Sequence, residues 1–436
     1  MIVPRNIILW SLLLLPVSAA APQGESFTML LYLLGGTLLF AAVVDAAAVS
    51  ASARKIAVTA GDVVRLSLGD GGKVCFTLSK PEDLKGELVF VPLFPPEAGV
   101  AEDEMLLTLP RGENIRFDCG CAPTQRGNYR LEDSFVEIRS PWGLWNFRKR
   151  NPLNSEIRVY PDTNIKRSGL ASLLIKNSFL GSHLNKVVGD GREFEKMREY
   201  VSGDSYDKIS WKATAKRGRP VCKEFQVERS QEIYAVIDAS RFSGKIKNGS
   251  SCMDHYFTAA LALGRAAEKQ GDRFGIIIFN DQPRLFIKAG SGPAHHRACR
   301  EAIYALKPEL KSPDFENLFS FIKTNIRKRA LLMFLTDLDE RTLAETFTRN
   351  VPLIGRRHLC FVNMLKDRAV APLFEYPVQQ ESDIYERLAG HVKWAGLMEV
   401  QRLLAKYGAG FSISETENFS PQLIKEYMDM KRRQMI

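Results

Sequence analysis

Three side chains in the second half of the sequence have the type and placing to hold a hard cation. Asp238-Ala239-Ser240 closes the apolar run Glu232-Ile233-Tyr234-Ala235-Val236-Ile237, and Asp337 follows Ala330–Leu335. Oxygen ligands such as Asp238, Ser240 and Asp337 suit magnesium, which takes one or two protein carboxylates and keeps several waters. The same two aspartates could instead cap loops or helix starts, and the residues alone leave both roles open. Other chemistry is scarce. The sequence has no G-x-x-x-x-G-K-[ST], no G-x-G-x-x-G after a strand, no H-E-x-x-H and no G-x-S-x-G. His295-His296 with Cys299 could share a helix face, but a third ligand is not evident. Cys119-Gly120-Cys121 reads as two strand residues on one face. The seven scattered cysteines read as reduced, mostly buried thiols. No catalytic residue is assigned, and the chain is expected not to be an enzyme. The competing reading is a membrane-bound enzyme acting on cell-envelope substrates.

The elements that position these residues alternate in type. Strand Glu232–Asp238 leads to helix Met253–Lys269, then to strand Arg273–Asn280. Asp281-Gln282-Pro283 turns tightly into Arg284–Ala289, which demands an antiparallel hairpin. Helices Ala294–Leu306 and Phe315–Arg329 follow, then strand Ala330–Leu335, helix Thr342–Arg349, strand His358–Asn363, helices within Ile384–Tyr407, strand Gly410–Ser414 and helix Pro421–Lys431. Such alternation predicts an α/β open, mainly parallel sheet over residues 231–436. In strand order 3-2-1-4-5-6, the strands ending at Asp238 and before Asp337 are neighbours where the winding reverses. Ligands bind in that crevice.

Two apolar runs open the chain, Ile7–Ala21 and Phe27–Val49. The second is long enough to cross a bilayer as a helix. The first also reads as a signal peptide. Arg5 before the pair and Arg54-Lys55 after it favour a transmembrane helical hairpin over residues 1–54, with both flanks cytoplasmic. Residues 55–162 show short strands, including Val63–Leu68, Lys73–Leu78, Glu87–Val91 and Ser134–Arg139, with a turn expected at Gly69-Asp70-Gly71-Gly72. That spacing predicts a small antiparallel β-sandwich. The net charge of +10 is spread through the body. It suits anionic lipid or an acidic protein partner. No nucleic-acid-binding motif accompanies it.

Residues 163–230 form a connector, with a possible helix at Leu170–Lys176. From Gly189 to Arg229 it packs charges, glycines and the aromatics Phe194, Tyr200, Trp211 and Phe225, which are costly to leave in water and are expected to pack. Arg198, Glu199 and Asp204 are expected to form an ion network pinning this segment to the sheet, with Trp211 buried.

Asp238-x-Ser240 and Asp337 on this alternating pattern resemble the metal-ion-dependent adhesion site of a von Willebrand factor A domain. Phe242 stands where that motif has a second Ser, and the loop around Gly290-Ser291-Gly292 offers no clear Thr. Glu193-Phe194, Arg198-Glu199-Tyr200, Gly203-Asp204, Ile209, Trp211-Lys212-Ala213 and Ala215 resemble the bacterial family called domain of unknown function 58. Arg126-Gly127-x-Tyr129, Ser140-Pro141-Trp142-Gly143-Leu144-Trp145 and Val159-Tyr160-Pro161 are similar to its usual lead-in. Asp207, Ser210 and Lys216 depart from its pattern. The resemblance implies a multi-pass bacterial inner-membrane protein that works with a MoxR-type AAA ATPase on other membrane or envelope proteins. Glu193, Phe194, Arg198, Glu199, Tyr200, Gly203, Asp204 and Trp211 would then form a docking face.

Overall fold

The computed structural model describes residues 2–4, 25–80, 86–99, 104–109, 114–162, 188–189, 193–202, 204–226, 230–367, 370–373 and 381–433. The first apolar run, the proposed helix at 170–176 and Gly203 lie outside them. The chain divides into two compact units, Met1–Asp162 with Ala302–Leu306, and the remainder.

In the first unit, strand β1 (Ile2–Pro4) precedes helix α1 (Glu25–Arg54), a 30-residue helix. Within it, Leu31–Ala51 is long and apolar enough to cross a membrane, and 17% of its most apolar window is buried. Eight strands follow: β2 (Ala57–Ala60), β3 (Val63–Ser67), β4 (Gly72–Ser79), β5 (Gly86–Pro92), β6 (Met105–Leu109), β7 (Ile115–Cys121), β8 (Gly127–Arg139) and β9 (Trp145–Tyr160). They form two sheets, β1-β9-β8-β5-β6 with β3 also on β9, and β2-β4-β7. Alternate residues of β4 turn inward, which puts Val74, Phe76 and Leu78 at zero exposure. Phe76 lies 4.9 Å from the Phe90 ring and 5.7 Å from Phe117. Burying each such side chain contributes about 2 kcal/mol. Two details differ from expectation. The turn at 69–72 does not close a hairpin, because β3 pairs with β9 while β4 pairs with β2 and β7. Gly69, at φ 75°, instead carries the chain from one sheet to the other. The β3–β9 pairing is parallel, in a domain otherwise antiparallel.

The second unit opens with a small sheet of β10 (Val188–Gly189), β11 (Glu193–Glu199) and, after helix α2 (Trp211–Arg217), β12 (Val221–Gln226). The main sheet contains β13 (Glu232–Asp238), β16 (Arg273–Phe279), β17 (Pro283–Gly290), β18 (Ala330–Leu335), β19 (Leu359–Leu365) and β20 (Gly410–Ser414). Its order is β17-β16-β13-β18-β19-β20. That is 3-2-1-4-5-6, with β17 antiparallel and every other pairing parallel. All seven residues of β13 are buried, as a central parallel strand covered on both faces requires. Between β13 and β16 the chain makes the two-residue strands β14 (Ile246–Lys247) and β15 (Ser250–Ser251), joined through Asn248-Gly249, both at positive φ.

Helix α3 (Cys252–Lys269) starts from a capping box between Ser251 and Asp254 and lays its alanines on the sheet. A Cβ on Gly264 would meet the Phe274 ring at 2.7 Å, so only glycine fits at that crossing. The remaining helices are α4 (Pro293–Ile303), α5 (Phe315–Asn325), α6 (Arg341–Asn350), α7 (Pro352–Gly355), α8 (Glu381–Lys406) and α9 (Thr416–Arg432). Helix α9 begins before Pro421, which lies inside it rather than at its start. On the opposite face the rings of Phe315, Phe319 and Phe334 all lie within 5.2 Å of Phe347.

His358, just ahead of β19, is 2% exposed, and neither ring nitrogen finds a hydrogen-bond partner. Burial, reinforced by Arg357, pushes its pKa down to about 4. A histidine held neutral in this way supports the fold fully above the ordinary value of about 6.5 and loses that support as pH falls toward 4. Denaturant unfolding should therefore lose about 2 kcal/mol more between pH 7 and pH 4 in the native chain than in His358→Leu. Equal losses in both chains would remove His358 as the cause.

Candidate functional site

The sheet order brings the carboxyl ends of β13 and β18 side by side. Asp238, last in β13, is fully buried. Its Oδ1 accepts the Ser240 N–H at 2.8 Å, and its Oδ2 accepts the Thr336 hydroxyl at 2.8 Å. Burial pushes the Asp238 pKa up, against these hydrogen bonds, which favour the charged form. Ser240 caps a short 3₁₀ turn, its Oγ accepting the Phe242 N–H at 3.4 Å and its carbonyl accepting the Ser243 hydroxyl at 2.8 Å.

Asp337, beyond β18, is 7% exposed. Its Oδ1 accepts the Asp339 N–H at 3.0 Å, and its Oδ2 accepts Lys245 Nζ at 2.6 Å. Burial works against the Lys245 charge, but Asp337 and Asp339 outweigh it and its pKa is raised. The Lys245 ammonium also lies 5.6 Å from the Phe242 ring centre. The crevice flanked by Lys245, Asp337, Lys366 and Leu397 holds about 20 Å³ of free space, room for roughly one water.

The three sequence-selected residues thus converge, but the donor set does not fit magnesium. The Lys245 ammonium sits 2.6 Å from Asp337 Oδ2, where a divalent ion would have to bind, and neutralises the carboxylate that would hold it. Phe242 contributes a ring where an adhesion-type site uses a hydroxyl. Among the described residues no group of three or more His, Cys, Asp or Glu side chains converges as a metal site. His295 Nε2 lies 2.7 Å from the Phe274 carbonyl and 3.5 Å from the Cys299 sulfur, and burial pushes the Cys299 thiol up to about 11. Cys119 and Cys121 are both buried on one face of β7. Sequence reasoning missed two members of the site. Thr336, adjacent to Asp337 in sequence, supplies the threonine hydroxyl that the loop around Gly290 lacks. Lys245 had no local signal at all.

The signature segment forms its own structure. In β11, Glu193 and Phe194 pair with Gln226 and Phe225, and Arg198 with Cys222. Arg198 clasps Asp204 through two hydrogen bonds of 2.7 Å, and Asp204 also accepts the Val201 N–H at 2.9 Å. This ion pair closes the segment on itself, whereas Glu199 pairs with Arg219 at 2.6 Å. The Arg198–Asp204 and Glu199–Arg219 pairs both join residues within the segment. The Tyr200 ring stacks 6.1 Å from Tyr206, and the hydrogen bond between them raises the Tyr200 pKa. Trp211 is not buried. It starts α2 at 70% exposure, and in the same segment Tyr206 is 73% and Val201 61% exposed, because a three-stranded sheet offers too little core to cover them.

A family described as "Protein of unknown function DUF58" matches residues 196–373. The uncharacterised proteins Rv1480 of Mycobacterium tuberculosis and Mb1516 of Mycobacterium bovis are each 24% identical over 162 residues, 36% of this chain and 50% of theirs. The chain thus spans about half the length of these curated relatives. Among solved structures, BatB from Bacteroides thetaiotaomicron is 11% identical with a TM-score of 0.30, covering 47% of this chain and 100% of that one. An aerotolerance-related membrane protein from Bacteroides fragilis is 12% identical with a TM-score of 0.29, covering 46% and 100%. Arg198, Asp204, Asp238, Ser240 and Asp337 all fall within the matched range, whereas β20 lies beyond it, so the match to the DUF58 family is to residues 196–373 of this chain.

Proposed function

We propose that this chain is a membrane-anchored, non-catalytic interaction protein that works with a MoxR-type AAA ATPase in the assembly, maturation or stress-related remodelling of other proteins. The observation that carries the reading is the exposed Trp211, with Tyr206 and Val201, on a small sheet braced by the Arg198–Asp204 pair. Large apolar side chains exposed to water suit protein recognition, and tryptophan is prominent among the residues that dominate interfaces. Helix α1 supplies the anchor. Arg54 and Lys55 at its end favour a cytoplasmic body at the inner membrane. The strand order and the Asp-x-Ser turn support a von Willebrand factor A-like reading of the α/β unit. Its crevice, closed by Lys245, would serve as a metal-independent brace.

Trp211→Ala should lower recovery of an AAA ATPase co-purified from solubilised membranes about tenfold, as loss of a central anchor does. Unchanged recovery would remove this face from the proposal. A reporter fused after Ile436 that is active only outside the cell would overturn the cytoplasmic placement.

A further inference from the structure

Helix α1 changes character part-way along. Among the described side chains from Thr28 to Ala41 none is buried, and Met29, Tyr32, Leu33, Leu39 and Phe40 are 64–79% exposed. From Ala42 onward, Ala42, Asp45, Val49 and Ala53 are buried at 5% exposure or less. Their spacing of three and four residues marks a single face, and that face lies on the β-sandwich.

Three polar contacts fix the contact face. The Trp145 indole N–H donates to the Ala42 carbonyl at 2.9 Å, and the Trp142 backbone N–H donates to Asp45 Oδ1 at 3.1 Å. Lys149 Nζ donates to the Arg54 carbonyl at 2.9 Å, where a cation also complements the helix C-terminus. The loop Ser140–Trp145 is closed by the Ser140 and Trp145 backbones, with Gly143 at φ 71°. It buries Leu144 and leaves Trp142 58% exposed, at the level where the helix stops being covered.

We infer that the Ser140–Trp145 loop is a membrane collar. It seats Trp142 in the lipid headgroup layer and fixes the point where α1 leaves the hydrocarbon near Ala42, rather than at Ala51 where the apolar run ends. The inference rests on the membrane-anchored reading above. Length supports it: Glu25–Ala41 rises roughly 26 Å at 1.5 Å per residue, close to the ~30 Å of a bilayer core. Continuing to Ala51 would draw Asp45 and the β-sandwich contacts into lipid, where polar backbone groups have no water. A tryptophan at that boundary matches the interfacial preference of an amphipathic ring. The occupant is therefore a bilayer surface, continuous with the span that α1 already makes.

The test uses the full chain with Cys75→Ser, since Cys75 is the exposed cysteine and the other six are buried. Single cysteines replace Phe40, Ala47 or Ala51, all on exposed faces of α1. Each variant is reconstituted in phosphatidylcholine vesicles and treated with a charged maleimide loaded on both sides by freeze–thaw. Positions 47 and 51 should label at least tenfold faster than position 40. Equal protection at all three positions would keep the run in lipid and overturn the collar while sparing the anchor. Equal fast labelling at all three would overturn the anchor as well. A spin label at Trp142→Cys should report phosphate-level depth, and a label in bulk water would overturn the headgroup seat.

Discussion

Lys245→Met should destabilise the α/β unit by about 2–3 kcal/mol, and the native chain should unfold at the same urea concentration with EDTA or with magnesium. Asp337 is 7% exposed, and its Oδ2 takes its short hydrogen bond from the Lys245 ammonium at 2.6 Å. Methionine keeps the length of the stem beside Phe242 but leaves that carboxylate without its cation. Removing one partner of a buried pair costs about 3–5 kcal/mol, because the other charge stays behind. The Lys245 side chain is 44% exposed, so water recovers part of this and the cost falls to about 2–3 kcal/mol. Indifference to magnesium follows from the same geometry. A divalent ion would have to displace the ammonium that already neutralises Asp337. A native midpoint that rises with magnesium would show that the oxygens are available and that the lysine is a visitor rather than a member of the site.

How much of this was legible in the sequence depended on the range of the interactions. The six-strand order follows from local pattern: short apolar runs, intervening helices, and a three-residue turn at Asp281-Gln282-Pro283 that permits nothing but a hairpin. The pairing of Asp238 with Asp337 across that order was readable for the same reason. Lys245 was not, because its partner is 92 positions away and nothing in its neighbourhood marks it. Asn248-Gly249, a strong two-residue turn, folds the segment just after Lys245 into β14 and β15, but it says nothing of Asp337. Trp211 departs from the expectation that an aromatic residue is buried because water disfavours it. That rule needs a core, and the sheet of β10, β11 and β12 is too small to supply one. The glycines at 69–72 show a related failure. They announce a turn but not whether the next strand returns to the same sheet, a choice settled by β9 and β7, which come much later in the chain.

Asp238 gives the sharper test, because its charge and its hydrogen bonds can be separated. Asp238→Ala should cost about 3 kcal/mol, whereas Asp238→Asn should cost about 1 kcal/mol or less. Alanine removes both acceptors at a fully buried position. The Ser240 N–H, held at 2.8 Å, is then orphaned together with the Thr336 hydroxyl, and a cavity opens under the turn. An unsatisfied buried polar group costs about 1–3 kcal/mol, and the lost packing adds to it. Asparagine retains a carbonyl for the Ser240 N–H, and the Thr336 hydroxyl can rotate to accept from the new amide. The charge itself is the smaller loss. Burial already pushes the Asp238 pKa up, so the ionised form is disfavoured there, and a neutral side chain of the same shape avoids that penalty. A cation site would erase that difference, since it depends on the charge and would fail with asparagine as fully as with alanine. Urea unfolding of the two variants beside Lys245→Met therefore decides between a hydrogen-bonded brace and a metal ligand, and an asparagine variant as unstable as alanine would return Asp238 to the second role.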